Sequence, residues 1–136
     1  MSQENINVVQ SFFDALSRGN IAAAGAALDP HIEWIEPGVP GQWFAGTRHG
    51  PDAVFKEVLG QSVEHVEDFS LHIEEYLDAR EYVVALGQFR GRGKRSGKAF
   101  SIPGAFVYTV RSGKIVRFQA YHDTAQWLQA LGQLPG

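Results

Sequence analysis

Gly113-Lys-Ile-Val-Arg-Phe-Gln-Ala-Tyr-His-Asp123 is the stretch whose reading decides the fold. The Ser112-Gly113 pair marks a turn, and Ile115 to Tyr121 alternate as one long strand. His122 and Asp123 end that strand in ionisable groups. Asp123 or Thr124 can cap a short amphipathic helix over 124–131, because either side-chain oxygen can accept from a free N–H of the first turn. Two ionisable groups at the end of an apolar strand make either a cap or a site, and both readings stand at this point.

Working back from this strand, the period stays at two as far as Val66. It predicts strands at 67–77, 82–92, 98–110 and 114–122, joined by turns at Asp78-Ala79-Arg80, Ser96-Gly97 and Ser112-Gly113. Connections this short imply an antiparallel meander. Before Val66 the period is mostly helical. Ile6, Val9, Phe12, Phe13 and Leu16 predict an amphipathic helix over 3–18, which Arg18-Gly19-Asn20 ends. Residues 21–28 form a second, small-residue helix, broken by Asp29-Pro30. His31 to Glu36 alternates as a short strand with Ile32, Trp34 and Glu36 on one face. A Gly/Pro-rich loop, Pro37 to Gly50, holds Trp43, Phe44, Arg48 and His49, and Pro51-Asp52 opens a third helix over 51–59.

Helices first and strands later predict an α+β domain, with helices covering one face of a curved antiparallel sheet. The strands are apolar on both parities: Phe100, Ile102, Phe106 and Tyr108 against Ala99, Pro103, Ala105 and Val107. An outer face that apolar predicts a homodimer in which a second subunit covers it.

Composition bounds the rest. A chain of 136 residues, 44% apolar, with sixteen aromatics among them, reads as one globular domain over 1–136. It has no cysteine, which excludes disulfide and thiol chemistry. No basic, apolar leader is visible and no segment approaches the ~20 apolar residues that span a bilayer, so the expectation is a soluble cytoplasmic protein without a membrane partner. Net charge is −3; the basic run Arg90-Gly-Arg-Gly-Lys-Arg95 falls at a predicted hairpin tip and reads as a solvated edge, not a nucleic-acid footprint. His31, His65 and His72 lack metal-ligand spacing, and there is no Ser-His-Asp signature or Gly-rich phosphate loop. No metal and no cofactor are implied.

The order of parts resembles the nuclear transport factor 2-like superfamily, in its ketosteroid isomerase and polyketide cyclase (SnoaL-like) branch. The resemblance covers nearly the whole chain and rests on Arg18-Gly-Asn-Ile21, Ile35-Glu-Pro-Gly38, His49-Gly-Pro-Asp52 and Gly113 to Thr124. It implies a cone-shaped, cystatin-like α+β barrel, with a deep cavity between the helices and the concave face of the sheet. It also implies a homodimer through the sheet's outer face. It says much less about the reaction, because function lives in the site and not in the fold.

In ketosteroid isomerases the proton-shuttling carboxylate ends the first strand just before a proline, and Glu36-Pro37 matches that position. A carboxylate beside Trp34 and Ile32 loses water, which raises its pKa toward the range of a general base; the competing reading is a rim glutamate satisfied by loop N–H groups. The oxyanion-hole positions of those isomerases, carried over by register, fall on Phe12 and Ala105, and neither can donate a hydrogen bond. Steroid isomerisation itself is therefore not expected. His122, in line with Phe118 and Ala120, can polarise a substrate oxygen or move a proton near neutral pH, or else serve as a core histidine bonded to a carbonyl. Asp123 is a third catalytic candidate, matching the late-strand base of the cyclase branch, although its place also suits a helix cap. An Asp-Arg-Asp set of the limonene epoxide hydrolase kind finds no acidic partners around Arg90 or Arg117. Phe12, Trp34, Phe55, Ala105, Phe118 and Ala120 are the candidate lining of an apolar cup.

The resulting expectation is a cofactor-independent isomerase, cyclase or hydrolase. It would act by proton transfer on a hydrophobic carbonyl or ring compound. The alternative is a non-catalytic ligand-binding or dimeric interaction protein of the same fold.

Overall fold

A computed structural model describes residues 2–134. Helix α1 (Ser2–Ser17) presents Val9, Phe12 and Ala15 to the core, the face set by their helical spacing. Asn20 caps α2 (Ile21–Ala26) by accepting from the Ala23 N–H at 3.1 Å. The chain then enters β1 (Leu28–Glu36) without a loop. The helix ends at Ala26, two residues short of the expected 28, and the strand begins at Leu28, three residues before the expected His31, so Asp29-Pro30 lies inside β1 and is not what ends the helix. Pro30, which has no N–H to give a ladder, lies where the pairing of β1 is interrupted between Leu28 and Glu33.

Two features of the middle of the chain differ from expectation. Within the segment read as loop, Gly46–His49 forms a short edge strand, β2, antiparallel to β1. The helix beginning at Pro51 also continues well past residue 59. It runs from α3 (Pro51–Ala53) through a π-helical segment (Val54–Leu59) into α4 (Gly60–His65). Gly60 is no helix stop: a Cβ there would stand 2.9 Å from the Phe55 carbonyl oxygen, so the wide turn requires glycine.

From Val66 the meander is as the period predicts, in β3 (Val66–Ala79), β4 (Tyr82–Gly93), β5 (Ala99–Arg111) and β6 (Lys114–His122). Arg111 pairs with Lys114 across the Ser112-Gly113 turn. Helix α5 (Thr124–Ala130) closes the described chain and buries Trp127.

The sheet has the order β2-β1-β6-β5-β4-β3 and is antiparallel except between β1 and β6. It is strongly curved and unclosed, with β2 and β3 as its edges. Bulges in β3 and at Thr109/Val110 bend it, as does Gly87, where a Cβ would come 2.0 Å from the His72 carbonyl oxygen. Helix α1, the helix of residues 51–65 and α5 pack on the concave side around Phe12, Trp34, Val54, Phe106, Tyr108, Phe118 and Trp127. No helix among the described residues is long and apolar enough to cross a membrane.

Candidate functional site

Strand alternation puts Phe118, Ala120 and His122 of β6 on the concave side, and the end of β1 lies beside them. Trp34 pairs with Phe118 and Ile35 with Gln119, so Glu36 stands next to Ala120. His122 is two residues further on, roughly 7 Å along the strand. Across β6, Tyr108 of β5 pairs with Phe118. The Trp34 and Phe118 rings stack with centroids 4.0 Å apart. These side chains, with Phe12 and Phe13 of α1, Val58, Leu59 and Ser62, and Trp43 and Phe44 from the loop before β2, enclose a cavity of about 80 Å³.

Glu36 is the ionisable group most altered by this setting. Its Oε2 accepts from Trp34 Nε1 at 2.9 Å. Loss of water raises its pKa from 4.5 to about 7, against the opposing effects of the Trp34 hydrogen bond and the Arg48 charge. The cause is the apolar wall and not a like-charged neighbour. Tyr108 is buried, and burial followed by the nearby Glu36 charge holds its pKa well above 10, so its hydroxyl remains a proton donor. His122 lies half-buried against Phe89, with ring centroids 4.9 Å apart. Burial pushes its pKa down, opposed by the backbone and charge of Asp123, so at neutral pH it is uncharged. Its Nδ1 is buried without a hydrogen-bond partner, and so is Nε1 of Trp43.

The loop over the cavity is held from β2. The Arg48 guanidinium donates to the carbonyls of Trp43, Phe44 and Ala45, and its Nε lies 3.6 Å from Glu57. Trp43 stacks on His65 at 4.5 Å and meets Trp127 edge-on at 6.2 Å.

Of the residues singled out in the sequence, Glu36, His122, Phe12, Trp34 and Phe118 line this one cavity. Four others do not. Asp123 is exposed and caps α5: Oδ1 accepts from the Ala125 and Gln126 N–H groups at 2.9 and 3.3 Å, and Oδ2 from Gln126 Nε2 at 2.9 Å. These bonds, the Gln126 side chain foremost, keep its carboxyl below the usual range, and it is not among the residues that line the cavity. Ala105 pairs with Tyr121 on the outer face, because the inward parity of β5 belongs to Phe106 and Tyr108. The register carried over from the resemblance was therefore one residue off. Phe55 faces α2, where a Cβ on Gly25 would touch its ring at 3.4 Å; in the wide π turn the cavity-facing positions fall on Val58, Leu59 and Ser62. Ala120 has the right parity, but its methyl is buried among its neighbours and does not reach the cavity.

Sequence reasoning passed over Tyr108 and Trp43. Tyr108 was legible, since it shares the parity of Phe106. Trp43 was not, because its place depends on the Arg48 clamp.

Comparison with known proteins follows the same geometry. Residues 9–118 match the family model described as SnoaL-like domain. No curated protein matches the chain. Among solved structures, an NTF2-like protein from Burkholderia xenovorans LB400 is 32% identical, with a TM-score of 0.83 over 96% of this chain and 98% of that one. An NTF2-like protein from Burkholderia thailandensis E264 is 30% identical, with a TM-score of 0.86 over the same shares. TerC, co-crystallised with polyporic acid, has the same fold at 22% identity and a TM-score of 0.85 over 95% of this chain and 98% of that chain.

Proposed function

The chain belongs to the SnoaL-like domain family, and on that premise we propose that it is a cofactor-independent enzyme that moves a proton on a hydrophobic carbonyl or ring compound. One observation carries the reading: a carboxyl lines an apolar cavity with its pKa raised to about 7. A base of that strength is partly ionised at neutral pH and takes up a proton without being too weak to return it.

The chemistry follows from the neighbours. Trp34 Nε1 fixes one Glu36 oxygen, leaving the other to abstract a proton beside a carbonyl. The enolate oxygen so formed needs a donor, and Tyr108, held protonated, supplies one; neutral His122 supplies another in the tautomer that carries its proton inward. Return of the proton at a second carbon completes an isomerisation or sets up ring closure. TerC, of the same fold, is co-crystallised with polyporic acid, which supports a small organic ligand here too.

Proton exchange tests this directly. Wild-type protein should exchange the α-hydrogens of apolar ring ketones into deuterated water, and Glu36→Gln should slow exchange by about 10²-fold or more. His122→Phe should slow it less. Equal rates for wild type and Glu36→Gln would end the catalytic reading.

Phe12, which stands where ketosteroid isomerases carry one of their oxyanion donors, has no group to donate, and this favours a second reading as a non-catalytic ligand-binding protein. It requires a ketone to bind wild type, Glu36→Gln and His122→Phe equally, with no exchange by any of them.

On either reading we infer a homodimer through the outer face of the sheet. Val84, Leu86, Ala105 and Val107 lie there half-buried, with Tyr82 and Tyr121 exposed to 42% and 51% around them. Light scattering at micromolar concentration should give twice the chain mass; a monomer would contradict the interface.

A further inference from the structure

The cavity beside Glu36 measures about 80 Å³. A buried apolar cavity that takes up benzene measures roughly 150 Å³. A ring compound therefore enters only when some wall gives way, and most of the walls are fixed. Phe12, Trp34, Phe106, Tyr108, Phe118 and Trp127 are each exposed to 5% or less and packed in the core. Phe13, half-buried on α1, meets the rings of Phe12, Tyr76 and Tyr108. Phe69 differs from all of these. It lines the cavity and is 37% exposed, more open to solvent than any other lining residue, which places it at the mouth. Among the described residues its ring meets one other aromatic ring, that of Phe89 at 6.2 Å.

A local irregularity turns Phe69 inward. Glu67 pairs with Arg92 and Ser70 with Arg90, so Asp68 and Phe69 together stand against the single residue Gly91. Counting by two from buried Val66, a regular ladder would send Phe69 outward with Glu67. The extra residue moves it to the parity of Leu71, which also lines the cavity. Gly91 makes room for this: a Cβ there would stand 2.6 Å from Val66 Cγ1 and 3.0 Å from the Glu67 carbonyl oxygen. Asp68 takes φ +55°, a left-handed conformation that is unfavourable for a residue with a Cβ. Strain of this kind persists where the placement it produces has a use. The bulge also lies on an edge strand, with no further strand beyond β3 to hold it.

We propose that Phe69 is the gate of the cavity and sets the size of the ring system that it accepts. The ring moves toward solvent as a ligand enters and then covers it. This role rests on the reading of the cavity as a small-molecule site, and it narrows the ligand. The lining residues that solvent partly reaches on the helices and on β3 are Phe13, Leu16, Leu59 and Leu71, so the part of the ligand beneath Phe69 is hydrocarbon.

Cyclohexanone, 1-indanone and 9-fluorenone carry one carbonyl on one, two and three rings, and they test the gate in the full-length protein. Binding is read by calorimetry for wild type, Phe69→Ala and Phe69→Trp. Phe69→Ala should tighten 9-fluorenone about tenfold relative to cyclohexanone, and Phe69→Trp should weaken 1-indanone by a similar factor. In wild type, 1-indanone should shift the carbon resonances of the Phe69 ring. If the three proteins rank and discriminate the probes alike and the Phe69 resonances stay where they are, the gate is refuted while the cavity remains a ligand site. If no probe binds any of the proteins, the small-molecule reading fails and the gate with it. The ring resonances are read on wild-type protein, so the test survives if a variant fails to fold.

Discussion

Glu33 and Glu36 lie three residues apart on β1 and illustrate the two faces of the sheet. Glu33 points outward, where Arg117 Nε donates to its Oε1 at 2.9 Å and His49 lies 3.8 Å from its Oε2. It keeps 42% of its side chain in solvent. Glu36 turns inward, has an indole N–H for its partner, and is surrounded by aromatic rings. The same carboxyl is thus an ion-pair member on one face and a candidate proton carrier on the other. Water and a directly paired cation make the first; loss of water, outweighing the Trp34 bond and the Arg48 charge, makes the second. Reactivity in this strand is therefore set by parity more than by residue type.

That contrast can be broken by exchanging the partners of each carboxyl. The largest effect is expected on catalysis, where Glu36→Gln lowers proton exchange by about 10²-fold or more and Glu33→Gln leaves it unchanged. Equal losses would mean that the outer pair governs the cavity. Next comes stability against pH. Below pH 4.5 Glu36 is protonated both folded and unfolded, and it contributes no pH dependence. Between 4.5 and about 7 the unfolded chain has released its proton and the folded chain retains it, so stability falls as pH rises and levels off above 7. Glu36→Gln should remove that fall and be the more stable protein at alkaline pH by up to about 3 kcal/mol. Denaturant melts at acid and alkaline pH would measure it, and a constant difference between variant and wild type would contradict it. Glu33→Gln should cost under about 1 kcal/mol, as an exposed pair does, and less in high salt.

Smaller still is the effect of Trp34→Phe on the Glu36 titration. The indole bond favours the carboxylate, so its loss should move the midpoint further up; a downward move would mean that Trp34 acts mainly by excluding water. Asp123→Ala should lower the melting temperature slightly through the lost cap and leave exchange intact, which separates the two ionisable groups at the end of β6.

How much of this the sequence foretold also divides by face and by distance along the chain. Period-two alternation located β3 to β6 to within about two residues, because each pairs with its neighbour in sequence and local pattern sets the register. It also chose the concave parity of β6 and the inward turn of Glu36. Strand β2 escaped notice because Gly46–His49 contains no apolar residue and exists only by pairing with β1. The helix end at 59 was misplaced because Gly60 fills a close approach inside a π turn, a requirement that arises only in three dimensions. Ala105 fell on the wrong face because a register carried across a family fails by one residue with no local warning. Trp43 needed the Arg48 clamp to bring it over the cavity, and no spacing announces that.

The central claim is that burial, and no charged partner, makes Glu36 a base near neutrality. A carbon-detected NMR titration of the Glu36 carboxyl in the ligand-free protein tests it most directly. The account predicts a midpoint at about 7; a midpoint at the ordinary 4.5 would contradict it.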